Sequence, residues 1–343
     1  MKSVYYLAGL DLVLAGPGCC TQLPLILGDW TCQLEGGKAN HLQRISQLTA
    51  LTSLVIVDKD DTISSLSALQ QLHKLRNLRT TRYDALNFAE TPFINLVELD
   101  LYGGANQMCN LESCVQLTRL GLDRVDPDSG LTQLTLPRGP SVQLRHLFLA
   151  NSRHEPEGDY CVENLHLASQ LTRLQLDCVY PKWDMGWPRC LPALSELEIQ
   201  EVIHIGPPIH SLLEYPALTS LTWADVCVDL LDGLSKLTQL SSLTLTRLDY
   251  GNPALLLTQV KALTQLTYLM LHTLYIPKFA LTLDIAQFAA WPYLQGLEVV
   301  DECVVATYTP DEQLRLCELQ DRLGAFKIQC NIDINVQLHN DVE

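Results

Sequence analysis

The chain has 343 residues, 47% of them hydrophobic and 18% charged, an apolar share that excludes wholesale disorder. Twenty-three Lys and Arg stand against thirty-nine Asp and Glu, a formal net charge of −16. Phosphate backbones and anionic bilayers are gripped by clustered cations, so this balance argues against nucleic acid and against a membrane surface as partners.

In chain order, Asp11 interrupts the apolar run that follows Lys2, and no small-residue cleavage site precedes Pro17. The segment is therefore not read as a secretory signal. It reads instead as a first copy of a motif, Leu7-Ala-Gly-Leu10-Asp-Leu12, followed by a Gly-rich and poorly patterned stretch over 15–45. From Leu51 the motif L-x-x-L-x-L recurs with little variation. Copies start at Leu51, Leu75, Leu96, Leu117, Leu144, Leu171, Leu194, Leu218, Leu240, Leu266 and Leu294, with steps of 21 to 28 residues. Within a copy such as Leu120-Gly121-Leu122, apolar side chains alternate with small or polar ones, the period of a half-buried strand.

Between strands the period changes. Leu230-Leu231-x-x-Leu234-x-x-Leu237-x-x-Leu240 predicts one helical stripe, and Leu255 to Leu266 predicts a second through Leu257, Val260 and Leu263. An extra copy, Leu131-Thr-Gln-Leu134-Thr-Leu136, follows Leu117 by only 14 residues and leaves no room for a helix; it reads as a convex-side strand or an irregular short repeat. Near the end, Thr309-Pro310-Asp311-Glu312 carries a capping box with Pro at the first helical position, predicting a helix to Leu323 closed by Gly324. From Phe326 to Val336 apolar and polar residues alternate, predicting a final strand. No run reaches the 18 or so apolar residues that a membrane-spanning helix needs.

The motif and its spacing resemble the leucine-rich repeat family. The resemblance implies an α/β solenoid, a horseshoe with parallel concave strands and convex helices or turns. On this reading, residues 1–343 form a single domain: 1–50 an irregular N-terminal cap, 51–303 the regular repeats, 304–343 a C-terminal cap. The chain departs from the family three residues after each core. There the family commonly places an Asn or Cys, and this chain has Val125, Val179, Val202, Val226, Leu248 and Leu274. Without an Asn ladder, apolar packing is expected to hold that turn. The repeat type leans toward the cytosolic, F-box-associated kind, although no L-P-x-E-type F-box stretch precedes the repeats; a fragment of a longer protein is one reading of that.

Chemistry is sought and mostly not found. The twelve cysteines form no C-x-x-C and read as small buried hydrophobes of a reducing compartment, which points to the cytoplasm. Phosphate-loop, dinucleotide, nucleophile-elbow and zinc-protease motifs are all missing, so neither a cofactor nor a metal is expected and the chain is read as no enzyme. The densest ligand-like run, His154 to Cys161, lacks a recognised metal spacing and reads as an acidic loop. Trp187, Trp223 and Trp291 read as core fillers.

What remains is a surface. In the implied architecture, side chains at the third, fifth and seventh positions of each core leave the concave strand face. The middle repeats collect Arg119, His146, Phe148, Arg173, Gln175, Glu196 and Glu198 there, the only concentration of Arg, His, carboxylate and aromatic side chains in adjacent registers. Arg119, His146 and Arg173 are expected to stack as one basic column that selects an acidic or phosphorylated partner segment. Phe148 is either its apolar anchor or an isolated exposed residue, and the charges either bind or merely pair across strands. The reading is a non-enzymatic scaffold that binds another protein on its concave face. Variants of it are the substrate-receptor arm of a ubiquitin ligase and a cytoskeletal or axonemal adaptor. An extracellular recognition domain and an enzyme with an unrecognised site are the alternatives from other classes.

Overall fold

The computed structural model describes residues 5–7, 31–35, 46, 49–57, 69, 71–80, 93–102, 109–111, 113–123, 133–135, 143–150, 161–163, 168–177, 191–200, 209–226, 228–248, 253–273, 291–301, 333–338 and single positions between 309 and 321. It divides into two compact units, Met1–Leu171 with Cys178–Cys190, and Thr172–Asp177 with Leu191–Glu343.

In the first unit the strands are β1 (Tyr5–Leu7), β2 (Thr31–Glu35), β3 (Ser53–Val57), β4 (Asn77–Thr80), β5 (Glu98–Tyr102), β6 (Cys109–Asn110), β7 (Arg119–Asp123), β8 (Gln133–Thr135), β9 (His146–Ala150) and β10 (Cys161–Glu163). Strands β2, β3, β4, β5, β7 and β9 form a parallel ladder in that order, and β1 pairs antiparallel onto β2. The short-spaced copy at 131–136 stays out of this ladder. Its strand β8 lies in a separate parallel sheet between β6 and β10. With no residues to spare for a full repeat, it pairs with the segments between repeats rather than adding a rung.

In the second unit, β11 (Arg173–Asp177), β12 (Glu196–Gln200), β13 (Ser220–Ala224), β14 (Ser242–Leu248), β15 (Tyr268–Thr273), β16 (Gly296–Asp301) and β17 (Asp333–Leu338) pair in sequence, all parallel. The described part of the final strand runs from Asp333 to Leu338, inside the predicted segment, and is a further rung on β16; residues 326–332 lie outside the described residues. Helical residues occur between Asp311 and Asp321, inside the helix predicted from the capping box.

Among the described residues, every motif copy from Leu51 to Leu294 places its three motif positions in the core. Leu99 and Leu101, Leu120 and Leu122, Leu174 and Leu176, and Leu269 and Leu271 are all essentially inaccessible to solvent. Period-2 alternation buries one face of each strand, and stacking covers what a single repeat cannot. The approach to each strand is a tight turn. Backbone N–H groups bond three residues back in succession, as in Leu72 to Leu69 and Leu75 to Leu72, or Cys114 to Leu111 and Leu117 to Cys114. Three positions before the motif an apolar residue is buried in most described repeats, including Phe93, Tyr215 and Trp291.

The stripe at 230–240 is corrected by the same geometry. It is not an α-helix but two 3₁₀ turns, Val228–Leu231 and Leu234–Lys236, separated by Gly233 at a positive φ of 89°. Leu231, Leu234, Leu237 and Leu240 are all buried, and their uniform interval of three is the 3₁₀ repeat, in which i and i+3 eclipse. The second stripe does form a helix, α1 (Pro253–Lys261). Its buried residues are Leu256 and Val260, Leu263 is buried just beyond its end, and Leu257 is half-exposed.

A hydroxyl ladder runs along the turns that lead into the strands. The Ser or Thr after the first motif leucine donates its hydroxyl to the carbonyl of the same position one repeat earlier: Ser195 to Thr172, Thr219 to Ser195, Ser241 to Thr219 and Thr267 to Ser241, at 2.9–3.4 Å. Thr118 does the same to Val97 at 3.1 Å. Each carbonyl also accepts two backbone N–H groups from the next repeat, as Thr219 does from Ser241 and Ser242. These bonds lie in the turn that leads into each strand. In the turn after the strand, where apolar packing is expected, Val226 and Leu248 are buried. Next to them, Asp225 and Arg247 both adopt positive φ, 56° and 52°, and their side chains form an ion pair.

Candidate functional site

The face opposite the core carries the third-, fifth- and seventh-position side chains. In the first unit, Arg119 and His146 are register partners on β7 and β9, as are Gly121 and Phe148. Arg119 and His146 are exposed, whereas Phe148 is half-buried. Gly121 explains part of that cover: a Cβ there would lie 2.4 Å from Asp100 Oδ1 and 3.7 Å from Phe148 Cδ1. The Asp100 carboxylate on β5 and the Phe148 ring on β9 thus lean over the same bare stretch of β7 from opposite sides.

Asp100 joins two arginines. Arg79 Nη2 lies 3.4 Å from Asp100 Oδ2, and Arg119 Nε lies 3.7 Å from Asp100 Oδ1. Arg79 also donates from Nη2 to the Tyr102 hydroxyl at 2.8 Å, and its guanidinium carbon sits 5.2 Å from the centre of that ring. The arginine side chains are 50% and 51% exposed, and that of Asp100 only 16%. Beside them, Asn77 donates to Glu98 at 3.2 Å.

In the second unit, Arg173 on β11 faces its register partner Glu196 on β12. Its nitrogens lie 3.7 Å from Glu196 and 3.3 Å from Glu198. Gln175 donates to Glu198 at 3.2 Å, and Gln200 donates to the same carboxylate oxygen. Arg173, Gln175, Glu196 and Glu198 therefore form one network closed on itself, the cross-strand pairing weighed for these charges. Arg119 and Arg173 both face carboxylates, because each Arg rung is next to an acidic one. Such half-exposed pairs add little stability individually.

From β13 to β15 the face turns to Ser220, Thr222, Ser242, Thr244 and Thr246, with Tyr268 and Met270 at its far side. The Tyr268 ring lies against Gly296, where a Cβ would come within 2.8 Å, and its hydroxyl donates to Glu298 at 3.1 Å. Burial, then the bond to Glu298 and its negative charge, push the Tyr268 hydroxyl above its ordinary range.

The surface read from the sequence does not include Arg79 or Tyr102. Carrying the fifth-position column back one repeat would have set Arg79 directly opposite Asp100, its register partner. Among the described residues no group of three or more His, Cys, Asp or Glu could hold a metal ion, and no helix is long and apolar enough to cross a membrane. The run at 154–161 and Trp187 lie outside the described residues, apart from Cys161 in β10. Trp223 and Trp291 are buried, in keeping with core fillers.

The repeat, the parallel ladders and the buried leucine columns define a parallel-strand solenoid fold of the leucine-rich repeat type. No family model matches the chain, and no curated protein does. Solved structures are similar to it, three of them as follows. A plant peptide hormone receptor, RGFR1 in complex with RGF2, shares 13% identity over 76% of this chain and 49% of its own, with a TM-score of 0.36. A leucine-rich repeat protein of Leptospira interrogans shares 15% identity over 85% of each chain, TM-score 0.33. A chain of the Drosophila Toll–Spatzle complex shares 14% identity over 79% of this chain and 47% of its own, TM-score 0.39. This chain spans about half the length of the first and third of these.

Proposed function

We propose that the protein is a non-enzymatic scaffold that binds another protein through the solvent-facing, concave side of its strands. One observation carries this reading: successive rungs hold Arg, His, Asp, Glu and aromatic side chains in fixed registers on that side, while the opposite side is filled with leucine. A register-locked array presents side chains with little ordering left to lose on binding, which favours recognition. The proposed contact residues are Arg119, His146 and Phe148 in the first unit, and Arg173, Gln175, Glu196 and Glu198 in the second. Use as the receptor arm of a ubiquitin ligase or as a cytoskeletal adaptor would engage the partner through the same residues.

The test is affinity capture with the full chain, followed by titration of the captured partner against point variants. Phe148→Ala and Arg173→Glu are each expected to weaken binding about tenfold or more, as loss of a buried aromatic or reversal of a charge does. The melting temperature should barely move, since neither side chain belongs to the leucine core. Unchanged affinity for both would move the site to the segments around 126–142 and 153–161.

We also propose a cytoplasmic location. Cys114 and Cys317 are free thiols, the first buried and the second exposed. Burial pushes the Cys114 thiol up to about 11, so it is protonated and inert at neutral pH. Native protein is expected to react quickly with a thiol reagent at Cys317 and only after unfolding at Cys114. Denatured protein should titrate close to all twelve cysteines; a titre near zero would point to an oxidising compartment instead.

A further inference from the structure

We infer that Arg119, paired with the Asp100 carboxylate that leans over Gly121, is the receptor for a single carboxylate side chain on an extended segment of the partner, with Phe148 as the apolar contact beside it. The inference rests on the scaffold reading above and names the chemistry of the group that it takes.

The two arginines bound to Asp100 are not equivalent. Arg79 is committed: one terminal nitrogen serves both Asp100 and the Tyr102 hydroxyl, and the guanidinium is stacked on the Tyr102 ring. Arg119 meets Asp100 only through Nε. Its two terminal nitrogens, the fork that grips a carboxylate with two parallel hydrogen bonds, take no part in that ion pair. Gly121 is what permits this. Any side chain at that position would collide with the Asp100 oxygen that Arg119 faces. Asp100 is also the deeper partner, at 16% side-chain exposure against 51% for Arg119, so the positive group is the one an approaching chain meets.

The size of the ligand charge follows from the neighbours. Arg79 and Arg119 share this face with Glu98, Asp100 and Asp123. A monoanionic carboxylate adds one more negative charge and receives a bidentate pair in return. A phosphate dianion adds about two, beside Glu98 and Asp123 and in a chain of net charge −16, with no further arginine of the cluster uncommitted. Phe148 lies across Gly121 from Asp100, so an apolar side chain next to the acidic one would meet its ring.

The experiment is selection of displayed random linear peptides on the immobilised full chain, then titration of the enriched peptides in solution. Enriched sequences should carry an Asp or Glu beside an apolar residue, and changing that Asp to Asn or Glu to Gln should cost about tenfold in affinity, the scale of one charge-assisted contact. Arg119→Lys keeps the charge but not the fork and is expected to lose about as much. Gly121→Ala, which displaces Asp100 while leaving Arg119 in the sequence, should lose part of it. Thermal melts on both variants separate loss of binding from loss of fold. Recovery of no peptide, of peptides indifferent to Arg119→Lys, or of peptides tightened by phosphorylation would overturn the inference. Peptides indifferent to Arg119→Lys but weakened by Phe148→Ala would leave the scaffold reading standing. Peptides indifferent to every substitution on the strand face would overturn that reading too.

Discussion

Trp223→Ala is expected to lower the free energy of unfolding by about 3–5 kcal/mol, and Leu174→Ala by about 2–5 kcal/mol, the costs of emptying fully buried sites. Both side chains are completely inaccessible. Trp223 is in register with Ile199 and Leu245, so its removal opens a void between three adjacent rungs. The indole adds a second, sharper expectation. Its Nε1–H is buried and finds no hydrogen-bond partner among the described residues. Trp223→Phe leaves a smaller void than Trp223→Ala and discards that unpaired donor, so it should cost clearly less than Trp223→Ala. Urea unfolding of the three variants beside the parent protein checks this. A Trp223→Ala cost below about 1 kcal/mol would mean that the site collapses freely and is not a close-packed core.

Ending the chain after Asp301 should yield insoluble protein. Strand β17 pairs with β16 at six consecutive positions, from Gly296 with Asp333 to Asp301 with Leu338. Removing it leaves a full-length parallel edge beside the buried Leu297 and Val299 column, which is a template for association between molecules. The check is the soluble fraction after expression, together with sedimentation of whatever remains in solution. A monodisperse truncated protein with a cooperative melt would show that β17 is dispensable and that the repeat before it serves as the cap.

How far the sequence reached can be read from individual elements. It placed the strands because L-x-x-L-x-L alternates with period 2, and nothing but a half-buried strand satisfies that pattern at Leu120 and Leu122 or Leu269 and Leu271. It misjudged Leu231 to Leu240 because buried leucines at intervals of three suit both an α-helical stripe and a 3₁₀ turn over so short a span. Only the backbone bond from Leu237 back to Leu234, and from Leu240 back to Leu237, selects the tighter form. The hydroxyl ladder was legible in principle, since Ser or Thr follows the first leucine in repeat after repeat. Its partners are carbonyls, however, and a sequence does not display carbonyls.

The sequence by itself determined the repeat, its period, the identity of the core leucines and the acidic character of the chain. Those follow from residue type and spacing, which act locally and repeat. The tertiary structure alone decided what the charged side chains do. Asp100 reaches both Arg79 and Arg119 only because β4, β5 and β7 are adjacent rungs and Gly121 leaves room for the carboxylate. Arg173 is tied down by Glu196 and Glu198, twenty-three and twenty-five residues away along the chain. Arg119 and Arg173 are paired charges in the fold, because parallel pairing brings residues one repeat apart to within about 5 Å and electrostatics then acts across rungs, not along the chain.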